Sequence, residues 1–344
     1  MGRILAIAAL LVLAACATGP QQPAATSTLT NEAATLGSLS LVDDYPLYTM
    51  RYVGSYGGQV DHAGIPQPLA ALDFPSQGTC SAAWGCSLFA ALANDNDRLL
   101  GRNFDWEFSP AVLLFTDPID AYASVSMVDI AYLGFEGERS RQLADLSLEE
   151  RKPLLNAPYL PFDGMNEKGI AVGMAAIPAQ PMPYDPQHET IDELRAIREI
   201  LDHAATVDEA IAILDGHNID MGSVPIHYLI VSAAGESALV EFYQGNMVVF
   251  RNEQDWQTAT NFLVASTDGH PQGQCWRYDA ISQRLQELQG RIAVPEAIQL
   301  LKTVSQDSTQ WSVIYHVTSG DVEVVMGRGY SKAAHTFHLD PSAR

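Results

Sequence analysis

The stretch GCSLFAALANDNDRLLGRNFDW, residues 85–106, constrains this chain more than any other. Two apolar runs of strand length, 87–92 and 99–104, are separated by a segment containing Asn94, Asp95, Asn96 and Asp97. Those four residues supply turn chemistry, so the stretch reads as a β-hairpin. A cysteine, Cys86, opens the hairpin, and a charged pair, Arg102 and Asp105, closes it. Two residues three apart on a strand point to opposite faces unless the strand ends or bulges between them. A site using both Arg102 and Asp105 therefore needs the strand to twist or break near Asn103 and Phe104.

Residues 45–56 alternate and are rich in aromatic and β-branched types, which predicts a strand; 57–84 is broken by Gly and Pro and reads as loop. A helix is expected at 146–154. FDGMNEKGIAVGMAAI reads as a turn at 166–169 followed by a strand. A capping box from Thr190 to Glu193 predicts a helix to about 204, and a second, from Thr206 to Glu209, predicts another to about 214. Hairpins are expected over Ala234-Gly235 and Ser319-Gly320, with a further strand at 246–250 and helices at 278–288 and 295–304. There is no internal repeat. Hairpins cluster before and after a block of helices, which predicts antiparallel sheets with helices segregated outside them, an α+β layered sandwich. The chain has 344 residues, of which 47% are hydrophobic, enough for a large core in one domain or two small ones.

The N-terminus follows different rules. MGRILAIAALLVLAACATGP carries Arg3 and then an apolar run to Ala15, too short for the roughly 20 residues of a spanning helix. Residues 1–15 read as a signal peptide. Leu13-Ala14-Ala15-Cys16 resembles the bacterial lipobox, which implies lipidation of Cys16 and a membrane anchor. Ala17 after that cysteine implies an exported lipoprotein of the outer membrane. Residues 16–40, rich in Ala, Thr, Pro and Gln, are expected to be a flexible tether. The formal net charge of −22 excludes a basic nucleic-acid footprint and otherwise reads as a solvated surface. Without CxxC or HExxH, and with scattered histidines, no metal site is expected. In an oxidising compartment Cys80 and Cys275 are available to pair, leaving Cys86 as the odd exported thiol.

A thiol attacks a carbonyl only as thiolate, so it needs a base and an electropositive setting. No histidine stands near Cys86 in sequence. If the chain is cut between Gly85 and Cys86, the new α-amine, with a pKa of roughly 7.7–8.0, lies beside its own thiol and suits a general base. Taken singly, these residues have plainer readings. Cys86 suits a buried structural thiol, Arg102 with Asp105 a structural ion pair, Asn261 a turn cap and Arg277 a surface helix residue. Asn166 suits a turn former, and His227 and His316 ordinary strand residues.

Taken together, the motifs resemble the choloylglycine hydrolase group, the N-terminal-nucleophile amide hydrolases that include penicillin V acylases, bile salt hydrolases and acid-ceramidase-like enzymes. GCSLF with GRNFDW resembles the start of the mature chain, with the charged residues at the same offsets. FDGMNEKGIAVG resembles the central turn-strand motif, TATNF the Thr-Asn segment, CWRYDAI the Arg-aromatic helix start, and QWSVIYHVTSGDVEV the closing hairpin. The resemblance implies a four-layer αββα sandwich, with 41–85 a pro-segment and 86–344 the catalytic domain. It implies that Cys86 is nucleophile and, through its amine, base. Asp105 would hold that amine, Arg102 would favour the thiolate, Asn261 would donate to the oxyanion, and Arg277 would orient Asp105. Ala176 would supply a second, backbone oxyanion donor; it departs from the Asn or Tyr found there in bile salt hydrolases and penicillin V acylases. About seventy residues between Cys16 and Cys86 resemble the acid-ceramidase-like and acyltransferase branches, where self-cleavage gives two associated chains. Gly85, without a side chain, would ease the strained backbone that cleavage needs.

The expected activity is hydrolysis of a non-peptide linear amide of a small N-acyl substrate through a Cys86 thioester, without a cofactor. Acyl transfer to an amine, or a non-catalytic binding lipoprotein on the same fold, are the alternatives. Loops 109–118 and 178–186, hydrophobic and proline-bearing, are expected to line an apolar acyl pocket.

Overall fold

A computed structural model describes residues 25–56, 85–222 and 224–340. The expected signal peptide, Cys16, and Cys80 lie outside these residues. Strand β1 (Ser40–Asp43) pairs with β2 (Leu47–Tyr52), which runs parallel to β5 (Ala111–Thr116). Antiparallel pairing then continues through β6 (Ser124–Asp129), β7 (Asp163–Asn166), β8 (Ile170–Ala176), β11 (Ile226–Ser232), β12 (Ser237–Tyr243) and β13 (Asn246–Arg251), completing a nine-stranded sheet. The second sheet has six strands in the order β14 (Trp256–Ala259), β3 (Ser87–Ala91), β4 (Leu99–Asp105), β15 (Thr309–His316), β16 (Asp321–Met326) and β17 (His335–His338). Two short strands, β9 (Thr190–Asp192) and β10 (Asn218–Asp220), pair in parallel beside them.

Helices α3 (Glu193–His203) and α4 (Val207–Asp215) cover the nine-stranded sheet, and α5 (Trp276–Glu287) and α6 (Val294–Thr303) cover the six-stranded one. The expected αββα sandwich is therefore what forms. Alternation along the hairpin explains the layering. Leu88, Ala90 and Leu100 face the opposite sheet, while Phe89, Ala91 and Leu99 pack with Ile281, Leu285 and Leu301 from α5 and α6. Burying each large apolar side chain contributes about 1.5–3 kcal/mol. Gly173 sets how closely the sheets approach, because a Cβ there would lie 2.6 Å from Leu88 Cδ2 and 3.4 Å from Arg102 Cδ.

The hairpins over 94–97, 234–235 and 319–320 form as their turn residues predict. Several expectations need correction. Thr190 does not start α3; Asp192 does, its carboxylate accepting Leu194 N–H at 3.1 Å and Arg195 N–H at 2.7 Å, and Thr190 is drawn into β9 by pairing with Asn218. In place of the helix expected at 146–154, a short helix α2 (Gly137–Arg141) and turns lead into a 3₁₀ segment, Lys152–Tyr159. Within the segment expected to be a tether, Ala25–Gly37 is helical (α1), and its last turn buries Thr35 and Leu36. Asn166 is the turn former its plainer reading predicts: its Oδ1 accepts from Lys168 and Ile170 N–H, and its Nδ2 donates to the Leu201 and Ala204 carbonyls.

Candidate active site

Cys86 is a free, buried cysteine at the head of β3. Its neighbours arrive by strand register. Thr258 pairs with Phe89 and Ala259 with Leu88, so two residues further along Asn261 stands opposite Cys86. On the other side Leu88 pairs with Arg102, and Gly85 N–H reaches the Asp105 carbonyl at 3.4 Å. The hairpin thus delivers both charged residues to the thiol without a break in β4. They lie on opposite faces of β4, and the pairing of β4 with β15 shifts by a residue beside Phe104 and Asp105.

Arg102 points between the sheets and is fully buried. Its Nη2 lies 3.7 Å from Cys86 Sγ, its Nη1 donates to the Phe162 carbonyl at 2.9 Å and pairs with Asp163, and its guanidinium sits over the Phe104 ring. The Arg102–Asp105 ion pair of the plainer reading is replaced by Arg102–Asp163. Asp163 is further held by the Tyr315 hydroxyl and by Trp311 Nε1 at 3.4 Å. Burial pushes the Cys86 thiol up, and Asp105 adds to this; the Arg102 charge and hydrogen bond, with the Asp105 backbone N–H, pull it down. The net shift is upward, so burial favours the neutral thiol and Arg102 works against it.

Asp105 points the other way, toward the segment leading into β15. Gln306 Nε2 donates to its Oδ2 at 2.8 Å and Thr309 Oγ1 donates to its Oδ1. Burial pushes this carboxyl up to about 6, against the pull of Thr309, Gln306 and the Arg277 charge. Gln306 and Thr309 escaped the sequence reading, although they directly precede the closing-hairpin motif. The same Gln306 amide donates to the Gly85 carbonyl at 3.2 Å.

Arg277 is fully buried, which removes the surface-helix reading. Its Nη1 donates to the Cys86 carbonyl and to Ser87 Oγ at 2.9 Å, and its Nη2 donates to Asn261 Oδ1 at 3.0 Å. The expected role of orienting Asp105 passes to Gln306 and Thr309; Arg277 acts on that carboxyl through its charge. By fixing the Asn261 oxygen, Arg277 also orients the amide nitrogen. Asn261 Nδ2 donates to the Ala176 carbonyl at 2.8 Å. Ala176 stands opposite Ile226, while the adjacent Ile177 N–H bonds the Pro225 carbonyl at 2.8 Å. Hydrogen-bonded and non-bonded pairs alternate, so the Ala176 N–H and C=O both face away from β11, toward Asn261.

The turn after Asn261 is anchored by a group not anticipated from sequence. Glu241, fully buried on β12, accepts Val264 and Ala265 N–H at 2.9 Å each and pairs with buried His227 at 2.9 Å. His227 is thus a support for this turn, and His316 pairs with Asp97 at 2.7 Å, away from the site. Cys275, one residue before α5, is disulfide-bonded; its expected partner Cys80 is outside the described residues.

Gly85 has a steric reason to be glycine. A Cβ there would lie 2.5 Å from Arg277 Nη2, 2.8 Å from Asn261 Oδ1 and 2.9 Å from Gln306 Nε2. Gly85→Ala should therefore slow any reaction at the Gly85–Cys86 bond by at least about tenfold, the result of a misplacement near one ångström. Intact mass against time, with thermal unfolding as a control for folding, checks this; an unchanged rate would show that the three side chains move aside.

A cavity opens on these groups, bounded by Cys86, Arg102, Asp105, Ala176 and Asn261 on one side and by Phe104, Trp106, Tyr132, Phe162, Met174 and Ile226 elsewhere. The expected lining loops, 109–118 and 178–186, contribute nothing to it. Residues 111–116 are strand β5 of the nine-stranded sheet instead.

A two-sheet αββα sandwich with a buried cysteine at the head of a central strand, ringed by guanidinium, carboxylate and carboxamide groups, defines the N-terminal-nucleophile hydrolase fold. Among solved structures, conjugated bile acid hydrolase from Clostridium perfringens, in a mutant form, is similar at 16% identity and a TM-score of 0.53 over 74% of this chain and 92% of that one. A variant of the same enzyme gives 14% and 0.52 over 74% and 92%. Penicillin V acylase from Agrobacterium tumefaciens gives 17% and 0.48 over 75% and 87%. Residues 161–319 match the family model described as acyl-coenzyme A:6-aminopenicillanic acid acyl-transferase. No curated protein matches the chain by sequence. These likenesses show the N-terminal-nucleophile fold for the chain, with a family match confined to residues 161–319.

Proposed function

We propose that this protein is a self-processed amidase that cleaves a non-peptide linear amide through a thioester on Cys86. The observation that carries the reading is the convergence of Arg102, Asn261 and the Ala176 backbone edge on one buried thiol at the floor of an apolar cavity. In the first event the thiolate form of Cys86, favoured by the Arg102 guanidinium, attacks the Gly85 carbonyl carbon, whose oxygen already accepts from Gln306. The peptide C–N bond breaks, the Cys86 nitrogen takes the thiol proton, and water hydrolyses the thioester to a Gly85 carboxylate. The freed α-amine is then the base that the buried thiol lacked, and Asp105 accepts from it. In turnover the thiolate adds to the substrate carbonyl, the oxyanion receives hydrogen bonds from Asn261 Nδ2 and Ala176 N–H, and the amine leaves with the proton held by the α-ammonium. Water, deprotonated by the α-amine, hydrolyses the acyl-thioester.

Acyl transfer is the second reading, favoured by the family model matched over 161–319, whose description is of an acyltransferase. An added amine would then take the acyl group in place of water. Lipidated Cys16 would tether the enzyme to an outer membrane. The substrate is a small N-acyl amide.

The test is to incubate the purified mature protein with N-acyl amides, follow amine release, and trap the acyl adduct by mass spectrometry on the fragment beginning at Cys86. Release with an adduct there supports the reading; neither amine nor adduct from any amide overturns it. Asn261→Ala should lower kcat by about 10²–10³-fold, with KM changed far less, because its amide is needed where charge develops. Steady-state kinetics checks this, and an unchanged kcat would remove Asn261 from the oxyanion site.

Asp105 also gives a pH signature in the uncut chain, measurable by urea unfolding in the Cys86→Ala background. An unfolded aspartate titrates near 3.9, whereas Asp105 titrates at about 6. The folded state holds the extra proton between these values. Stability therefore falls as pH rises from about 4 to about 6, by about 3 kcal/mol from this one group. Adding Asp105→Asn should flatten that slope; an unchanged slope would mean the carboxylate is already ionised at pH 4.

A further inference from the structure

One carboxylate on the cavity wall has no part in the chemistry above. Glu193 is the first residue of α3 and lines the cavity that holds Cys86, among Tyr132, Phe162, Leu194, Val224 and Ile226. The cavity's other charged groups are met by protein: Arg102 by Asp163, and Asp105 by Gln306 and Thr309. Glu193 is hydrogen-bonded to its own backbone N–H, and no lysine or arginine pairs with it among the described residues. Its charged neighbours, Asp192 and Asp220, are acids. Burial, reinforced by these acids, pushes the Glu193 carboxyl up to about 7, although it sits at the positive end of α3. A carboxyl on an apolar wall with no side-chain partner costs folding free energy that an aliphatic residue there would avoid. Among the described residues only its own backbone N–H and the end of α3 offset that cost, and no side chain does, whereas a hydrogen-bond donor on a bound molecule would.

We infer that Glu193 is a specificity residue of this cavity, and that the substrate is an N-acyl amide whose otherwise apolar acyl group carries a hydrogen-bond donor, an amino or hydroxyl group, that meets the Glu193 carboxylate. This rests on the amidase reading for the reaction but not for the binding. The apolar walls take the hydrocarbon part, the reacting carbonyl lies at Cys86, and Glu193 selects against an acyl chain that brings no donor. A site built around a polar contact rejects analogues lacking it more strongly than an apolar pocket rejects a change of size.

The experiment has two arms. In the first, kcat/KM is measured for amides of plain alkyl, hydroxyalkyl and aminoalkyl acids over a range of chain lengths, with wild type, Glu193→Gln and Glu193→Leu. Wild type should favour donor-bearing chains over the alkyl chain of equal length by at least about tenfold, and Glu193→Leu should remove or invert that ratio. Glu193→Gln should keep a preference for hydroxyl and lose that for amino, which separates the two donors. In the second arm the free acids are titrated into wild-type and Glu193→Leu protein by calorimetry, with no turnover required. A donor preference in binding without amide hydrolysis would retain the Glu193 assignment while the amidase reading fell. An alkyl-to-donor ratio unmoved by Glu193→Leu in both arms, or no binding of any acid together with no turnover, overturns the assignment.

Discussion

Cys86→Ala should yield a single uncut chain with no detectable turnover, while wild-type protein yields a chain that begins at Cys86. The loss in kcat should be at least about 10⁴-fold, because in the proposed mechanism nucleophile and base both originate in this residue and act as a unit. The substitution removes one sulfur from a site where burial opposes its ionisation, so the fold should persist. Thermal unfolding beside intact mass and N-terminal sequencing separates loss of chemistry from loss of structure. Cys86→Ser sharpens the comparison. A hydroxyl retains the geometry beside Arg102 Nη2 but is a far weaker nucleophile without strong activation, so cleavage should slow greatly and any mature fragment should start at the serine. Wild-type protein that stays whole yet hydrolyses amides would remove the α-amine from the mechanism; wild-type protein that stays whole and inert would favour a binding protein on this fold.

The second large effect is expected away from the reacting atoms. Asp163→Leu should destabilise the protein by about 3–5 kcal/mol, the cost of leaving a buried charge without its partner. Arg102 and Asp163 are both fully buried, and Asp163 also accepts from Tyr315 and Trp311. Asp163→Asn should lie between Asp163→Leu and wild type, since an amide oxygen still accepts one of these bonds. The informative variant is the double substitution Arg102→Met with Asp163→Leu. Replacing both partners by apolar groups of similar volume is often near neutral, so stability should largely return. Activity should not, because the positive charge 3.7 Å from the Cys86 sulfur is gone. Urea unfolding and kcat on the same samples test both halves. Recovery of activity in the double variant would make the pair purely structural, and a double variant no more stable than Asp163→Leu would mean that packing, not charge, sets the cost.

The hairpin at 85–106 was legible because its signals are local: two strand-length apolar runs, turn residues between them, and an alternation that assigns each face. The helices at 278–288 and 295–304 were legible to within two residues for the same reason. The start of α3 was not. Thr190 and Asp192 are both good caps, and the choice between them fell to Asn218, twenty-eight residues away, which pairs Thr190 into a strand. The cavity was misplaced because proline-bearing loops suggest a mouth, whereas its walls come from strand ends and from the beginning of α3. Among site residues, the sequence pointed to Cys86, Arg102, Asp105, Asn261 and Arg277, all of which gather around the thiol. Asp163, Gln306, Thr309, Glu241 and Glu193 carried no such signal, since carboxylates, amides and hydroxyls are by default surface groups.

Sequence by itself determined which side chains can do chemistry and which strand pair presents them, because residue type and the two-residue period of a strand are properties of the chain. Tertiary structure alone decided what each charge faces. Arg102 meets Asp163 rather than Asp105, Asp105 is held by Gln306 and Thr309, and Glu193 is left on an apolar wall, because burial and pairing are set by elements far apart in the chain that only the packed sandwich brings together.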